Sequence, residues 1–466
     1  MTRARTWAAA TVAIAAAAPF AVVATRDGPG SGGSAPGLRL QQPGSASGRG
    51  VPLHLAPMAS RVERLRDLRF VHPPRVRVIS AAELAAFGRR LAEASSRRAR
   101  GHPLRLRRPR RLERARIGFE QLAGMLPEQP ASDATARGPI EATDAAYDYV
   151  HDRILLVQRA IETRRELQLV LAHELTHALE DQHFPLRLGT SSGLSERAQS
   201  NRALIEGTAT FVAARYANRY LNDRVPVEQR LAGQRSVFAA GGSTPYAVKA
   251  ANIFDYVDGA LFVRGLHRHG WGSVNRALRH PPTRTQQILH PKGWRRSRQR
   301  PPVHLDLGQL LGHGWHLVGG GPAGEQDVLA ILGQGAFGVG IDEAGAGWVG
   351  GRFELWREGD DPAGCEDCAQ SEIGAVAFRW RHGLDTWEFG RAFFAYMVAG
   401  RLGERIGPRN WELSDGFASL GSAPRASAIA FAPTEELARS VARTSAKQAA
   451  KPPARRQPRG HPRGIG

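Results

Sequence analysis

Cysteine is almost absent from this chain. Only Cys365 and Cys368 occur, in a C-x-x-C spacing. A zinc knuckle needs two more ligands nearby, and none accompanies them. The flanks, Asp360-Asp361-Pro362 and Gln370-Ser371, are not the strand and helix that bracket a redox pair. The pair therefore reads as a local disulfide clipping a loop. Lysine is nearly missing too: Lys249, Lys292, Lys447 and Lys451 stand alone among 64 basic residues. The remaining basic residues are arginines, beside abundant Ala, Gly and Pro. The net charge of +21 thus reflects a compositional bias more than a functional design. No basic motif interleaved with aromatics appears, which argues against a specific nucleic-acid partner.

Long apolar runs are lacking after the N-terminus, so no later segment is expected to span a bilayer. The first residues, MTRARTWAAATVAIAAAAPFAVVATRDG, place Arg3 and Arg5 ahead of an Ala/Val-rich run from Trp7 to Ala24. With Val22-Val23-Ala24 as a cleavage site, residues 1–24 read as a secretory signal. An uncleaved signal anchor is the alternative. The expected location is secreted or extracytoplasmic.

What is present describes a soluble globular protein. The chain has 466 residues, 42% of them apolar and 23% charged, enough for two or three domains with real cores. Residues 25–59, rich in Gly, Ser and Pro, read as a linker. A strand-helix region is expected over 60–140. Val76 to Ile79 alternates as a strand, and Ser80 to Glu83 has the form of a capping box. Residues 97–116 hold ten arginines and one glutamate, which suggests a basic helix face and a loop. The central region, 141–300, carries the chemistry. A C-terminal α+β region is expected over 301–435, with turns and short strands up to 360 and helices over Glu325–Leu332 and about Thr386–Ala399. Residues 436–466 read as a disordered basic tail, most plainly from Thr444 onward, offering a weak anionic-surface contact.

The chemistry centres on LVLAHELTHALEDQHF, residues 169–184. His173-Glu174-Leu175-Thr176-His177 spells H-E-x-x-H. Thr163 to Glu166 has capping-box form, and no Pro or Gly interrupts 164–184, so a helix should run through the motif. Residues four apart share one helix face, so His173 and His177 can ligate one metal ion. Glu174, one position round, can hold a metal-bound water as a general base. The apolar neighbours Val170, Leu171, Leu175, Ala178 and Leu179 mark a buried helix, where unsatisfied polar groups are costly.

A catalytic zinc takes three protein ligands and leaves a position for water. In ALIEGTATFV, Glu206 lies 29 positions beyond His177 on a second expected helix, about Ser195 to Leu221. Gly207 and Ala209 would let this helix approach the first. The pattern H-E-x-x-H-x-x-G-x-x-H is not met, because position 180 is Glu180. His183 therefore matches a third histidine in spacing only. Upstream, Arg153–Val157 is a strand placed to serve as the edge that binds extended peptide, or else as a core strand. Asp181, four residues after His177, is a candidate to accept the second ring N–H of that histidine, and Thr210, four after Glu206, is a weaker candidate for a supporting hydrogen bond. Tyr256, His290 and Tyr216 are candidates to stabilise an oxyanion.

HELTHALEDQHF followed by ALIEGTATFV resembles secreted or surface gluzincin-type zinc metallopeptidases of bacteria and archaea. RVERLRDLRFVHPPRVRVISAAELAAF, AAYDYVHDRILLV, ANIFDYVDGALFVRGLHRHGWGSVNRAL, PPTRTQQILHP, AGWVGGRFELW and DTWEFGRAFFAYM extend the resemblance over about 60–432. The resemblance implies an α+β, zincin-like fold with a helix-dominated catalytic core, short antiparallel strands and flanking α+β regions. It implies one Zn2+ per chain, held by His173, His177 and Glu206, with Glu174 as base and a peptide or protein as substrate. His290 corresponds to a recurrent position of unassigned role. Where Pro-Tyr is expected before Gly-x-x-Phe-Val, this chain has Asp255-Tyr256. Two rivals from other classes accompany this reading. One is a zinc-stabilised surface or binding protein without hydrolysis; the other is a basic adhesion protein that binds acidic polymers through 97–116 and the tail.

Overall fold

The computed structural model describes residues 55–80, 82–84, 86–87, 107–127, 145–157, 164–184, 186, 195–240, 244–292, 294–296, 302–334, 340–359 and 372–451. The signal-type segment, residues 25–54 of the expected linker, Thr163, Cys365 and Cys368 lie outside these residues. Residues 56–59, expected as the end of that linker, instead open the first helix, with Met58 and Ala59 buried. The fold is α+β.

The N-terminal half contains α1 (Ala56–Arg66), β1 (Arg75–Ile79), α2 (Arg107–Leu122), β2 (Ala145–Asp148), β3 (Arg153–Val157), α3 (Arg164–Asp181), α4 (Glu196–Tyr220) and α5 (Val227–Ala240). Next come α6 (Tyr246–Asn252), a π turn over Ile253–Asp258, α7 (Gly259–His267), α8 (Trp271–Arg279) and α9 (Thr285–Leu289). The capping box foreseen at Ser80 is formed. Ser80 N–H donates to Glu83 Oε2 at 2.7 Å, and Glu83 N–H donates to Ser80 Oγ at 3.1 Å. Likewise Ser195 caps α4 by accepting from Ala198 N–H at 3.3 Å. Every residue of α4 from Ala203 to Ala214 is buried, which makes it the central helix of this half. A helix apolar on all sides can only sit in a core.

Strands β1, β3 and β2 form a three-stranded sheet in that order. β1 runs parallel to β3, and β2 runs antiparallel to it. Arg153–Val157 is therefore the middle strand, so of its two expected roles the core strand holds and the peptide-binding edge does not. Its run Ile154-Leu155 is buried, as a strand paired on both sides requires. The edge beside α3 is β2.

The C-terminal half contains α10 (Gly308–Leu311), β4 (Trp315–Pro322), α11 (Glu325–Leu332), α12 (Ile341–Ala346), β5 (Trp348–Glu358), β6 (Glu372–Trp380) and α13 (Gly383–Ala395), which continues as a π turn over Tyr396–Gly400. It ends with β7 (Glu404–Gly407), β8 (Asn410–Leu413), β9 (Gly416–Ala423), β10 (Ala426–Ala432) and α14 (Glu435–Ala450). The strands make one antiparallel sheet, ordered β4-β5-β6-β10-β9-β8-β7. The strands before residue 360 are longer than foreseen: β5 has 11 residues. Along β6, Val376, Phe378 and Trp380 pack into the large core that also takes Phe119 and Leu122 of α2. Ile373, Ala375 and Ala377 face the other way, toward Ala438, Ala442 and Ala446 of α14.

That packing corrects the reading of a disordered tail over residues 436–450; residues 452–466 of that expectation lie outside the described residues. Thr434 caps a helix that reaches Ala450, with Ala438, Val441, Ala442, Ala446 and Ala449 buried. Small residues let α14 lie close to the sheet: a Cβ at Gly421 would stand 2.0 Å from the Ala442 carbonyl oxygen. The basic stretch near 97–116 also differs from a simple solvated face. Arg116 is buried, bonded to Glu120 at 2.6 Å and to Asp327 of the C-terminal half.

Candidate metal centre

Helix α3 carries His173 and His177 one turn apart, and α4 brings Glu206 to them. Their Nε2 atoms are 3.0 Å apart. Glu206 Oε2 lies 3.2 Å from the first and 3.4 Å from the second. All three side chains are buried. Glu206 is the lone charged residue in the buried run from Ala203 to Ala214. Three lone-pair donors thus converge on one point, and the group can hold a metal ion. Among the described residues no fourth such ligand joins them.

The donor set fits a divalent cation of borderline softness. Two imidazoles and one carboxylate are ligand types of zinc and of other first-row dications such as iron(II), and the carboxylate supplies one negative charge to the cation. Burial opposes charge on His173, and His177 adds to that, so its pKa falls although Glu206 opposes the change. For His177 burial acts the same way, but Glu206 outweighs it and the pKa rises. Burial would raise the Glu206 carboxyl. The two histidines overcome this and hold it at about 2. The trio therefore keeps an ionised carboxylate at a buried position, ready for a cation.

Glu174 stands beside them, and neither of its oxygens has a hydrogen bond of good geometry. Burial first, and then the Glu206 charge, push its pKa up to about 8, against the pull of His177 and the Tyr147 backbone amide. That amide belongs to β2, so the edge strand lies against the carboxylate. A nearby dication favours the ionised form and would bring this pKa down.

Two tyrosines face the group. Tyr256, in the π turn, sits with its ring centroid 6.0 Å from that of His173. Its neighbour Asp255 pairs with Arg202 of α4 at 2.5 Å, which ties the turn to the glutamate helix. Tyr149, just after β2, has its ring centroid 6.0 Å from His177, and its buried hydroxyl has no partner. In both tyrosines burial and then the Glu206 charge raise the pKa well above the usual range, so both stay protonated donors. Sequence reasoning missed Tyr149. The signal was its position in AAYDYVHD, one residue past the strand that turned out to be the edge.

Other sequence-based expectations are corrected. Asp181 does not orient His177, whose Nδ1 is unpartnered, as is that of His173. Instead the Tyr147 hydroxyl lies 3.1 Å from Asp181 Oδ2 and 2.7 Å from Asp152 Oδ1. The carboxylate next to His177 on the following turn is Glu180, held by Arg66 at 2.6 Å. His290 is not at the centre. It is half-exposed after α9 and bonded to Glu325 at 2.7 Å. Tyr216 is also elsewhere, taking a bond from Arg61 and reaching Gln168. His183 is exposed and bonded to the Arg69 carbonyl at 2.6 Å, in keeping with its exclusion as a ligand. The Thr210 hydroxyl is buried without a partner and so orients nothing.

Gly207 was expected to bring α4 close to α3, but it faces α7. A Cβ there would stand 2.1 Å from the Gly259 carbonyl carbon, and one at Gly259 would stand 2.0 Å from the Ala203 carbonyl oxygen. The backbones of α4 and α7 touch, which fixes the π turn and Tyr256 against the glutamate helix. No protein-family model matches this chain, and neither does any curated protein or solved structure.

Proposed function

We propose that the chain is an extracytoplasmic zinc metallopeptidase of the zincin-like, gluzincin type. The supporting observation is the convergence of His173, His177 and Glu206 beside a buried Glu174, whose oxygens make no hydrogen bond of good geometry, and the edge strand β2. The three donors would hold one zinc, which when bound supplies a Lewis acid that polarises a carbonyl and acidifies water. Glu174 accepts a proton from the attacking water and passes it to the leaving amine nitrogen. The Tyr149 and Tyr256 hydroxyls donate to the oxygen on which negative charge develops. The edge of β2, buried in this structure, aligns an extended peptide across the site once the covering groups have moved. The signal-type start of the chain supports work outside the cytoplasm.

One observation favours a second reading, a zinc-stabilised protein that does no hydrolysis. His173, Glu174, His177 and Glu206 are each 2% exposed or less. A peptide reaches them only after covering groups move. An intact Glu174 and, among the described residues, three ligands in place of four favour the peptidase, because a purely structural zinc site is closed by four ligands.

Zinc content and cleavage of a peptide library separate these readings. The peptidase requires one zinc per chain and cleavage by the wild type. Glu174→Gln should keep zinc and lose cleavage; His177→Ala should lose both. Tyr149→Phe and Tyr256→Phe should lower kcat with zinc retained. Zinc without cleavage of any peptide would select the non-catalytic reading. A metal-free wild type would refute both.

A further inference from the structure

Helix α13 is apolar on two sides. One side, with Phe389, Phe393, Tyr396 and Met397, is buried in the C-terminal core. The other carries Leu384, Trp387, Arg391, Phe394 and Val398, spaced three and four apart and so on one face. Leu384 is 63% exposed, Trp387 59%, Phe394 39% and Val398 51%; Leu402, just past the π turn, is 82% exposed. Scattered exposed leucines are ordinary, but a continuous stripe containing Trp and Phe marks a surface that something covers.

Cations accompany the rings. The Arg391 guanidinium lies 5.1 Å from the Trp387 ring centroid, and that of Arg405 lies 5.1 Å from the Phe394 ring centroid. Arg401 is not part of this set, because Asp415 holds it at 2.6 Å. No acidic residue occupies the stripe. Asp385 and Glu388 sit on its flanks, and Asp385 is engaged at the helix start, accepting from the His382 N–H at 2.7 Å. Glu404 lies beyond, on β7.

Self-association fits this surface less well. Arg391 is the middle residue of the stripe, so pairing with a second copy about that middle, parallel or antiparallel, would set Arg391 against its mate, with the acids Asp385 and Glu388 off to the flanks rather than in the seam. An anionic lipid surface matches both components. Trp, Phe and Leu enter the boundary between headgroups and acyl chains, and the guanidinium groups stay at phosphate level. We propose that the exposed face of α13, with Leu402 and Arg405, docks the protein onto anionic membranes. The docking face lies on the C-terminal half and does not rest on the metal reading. No described helix is long and apolar enough to cross a membrane, so the contact is interfacial.

Flotation of the full chain with vesicles tests this, using phosphatidylcholine alone or mixed with phosphatidylglycerol. The wild type should float with the mixed vesicles, and brominated lipid should quench part of its tryptophan fluorescence. Trp387→Ser combined with Leu402→Ser should lower partition by about tenfold or more and abolish that part of the quenching. Its circular dichroism and melting should be unchanged, since both side chains are exposed. Arg391→Gln with Arg405→Gln should weaken binding and reduce its salt dependence. The proposal falls if the apolar variant binds as well as the wild type, which would leave only diffuse charge attraction through other segments. It also falls if the wild type ignores anionic vesicles, or if it forms a dimer that the apolar variant dissolves.

Discussion

Replacing Gly207 by alanine sets two effects of known size against each other. In a helix interior alanine is favoured over glycine by about 1 kcal/mol, so propensity alone calls for a more stable protein. The crossing with α7 calls for the reverse. The new Cβ would stand 2.1 Å from the Gly259 carbonyl carbon and 2.4 Å from its oxygen. These are backbone atoms and cannot rotate aside. Reaching an ordinary contact near 3.4 Å requires the helices to part by about 1.3 Å. Overpacking a core costs about 1–3 kcal/mol, and an immovable obstacle puts this site at the upper end, for a net loss of about 2 kcal/mol. The displacement also reaches the metal centre. Glu206 is the preceding residue, and Tyr256 lies three residues before Gly259. Ligands must be held to within about 0.5 Å, so zinc affinity should fall about tenfold or more. Urea unfolding followed by tryptophan fluorescence reads the first effect, and competition with a chelator reads the second. Gly259→Ala should behave alike. Gly272→Ala in α8, where a Cβ meets nothing within 4 Å, should be neutral or mildly stabilising. If Gly207→Ala were as stable as the wild type and bound zinc equally well, the packing argument would be refuted.

Two further outcomes can be measured. Arg66 is fully buried, bonded to Glu180 at 2.6 Å and stacked 4.3 Å from the Trp271 ring centroid. Arg66→Met leaves Glu180 buried without its cation and should cost about 3 kcal/mol in urea unfolding, whereas Arg66→Met with Glu180→Leu should recover most of that loss. The Glu196 carboxyl is pushed up to about 7 by burial and by Asp327, so in the folded state it holds a proton that the unfolded chain gives up near pH 4.5. Stability should therefore decline as pH rises between these values. Because the residue is only partly buried, Glu196→Gln, which keeps the carbonyl that accepts from Thr285, should gain about 1 kcal/mol above pH 7 and nothing near pH 4. Unfolding midpoints across that range would show it.

The local parts of the centre were legible without any tertiary information. His173 and His177 share a face because a helix repeats every 3.6 residues, and the uninterrupted sequence from 164 to 184 ensures the helix. Glu206 stood out because a carboxylate amid small and apolar residues needs a partner. The cap at Ser80 and the start of the second helix near Ser195 are likewise properties of a few adjacent residues, and the exclusion of His183 followed from the residue at position 180. Long-range packing settled the rest. Whether Ala145–Asp148 or Arg153–Val157 forms the edge depends on where β1 inserts, and no pattern within either strand encodes that. Asp181 and Glu180 differ by one position on α3, but Tyr147 and Arg66, distant in sequence, decide what each carboxylate does. The same holds for Gly207, whose permissiveness was visible but whose neighbour was not. The disorder expected from residue 436 onward gives way to helix as far as Ala450, because alanine-rich sequence looks unable to bury enough surface alone; against a sheet faced with Ala and Gly it packs closely. Side-chain types and helical spacing specify which groups a site can contain. Only the meeting of elements far apart in the chain decides which groups face the centre, because burial and charge act through space rather than along the sequence.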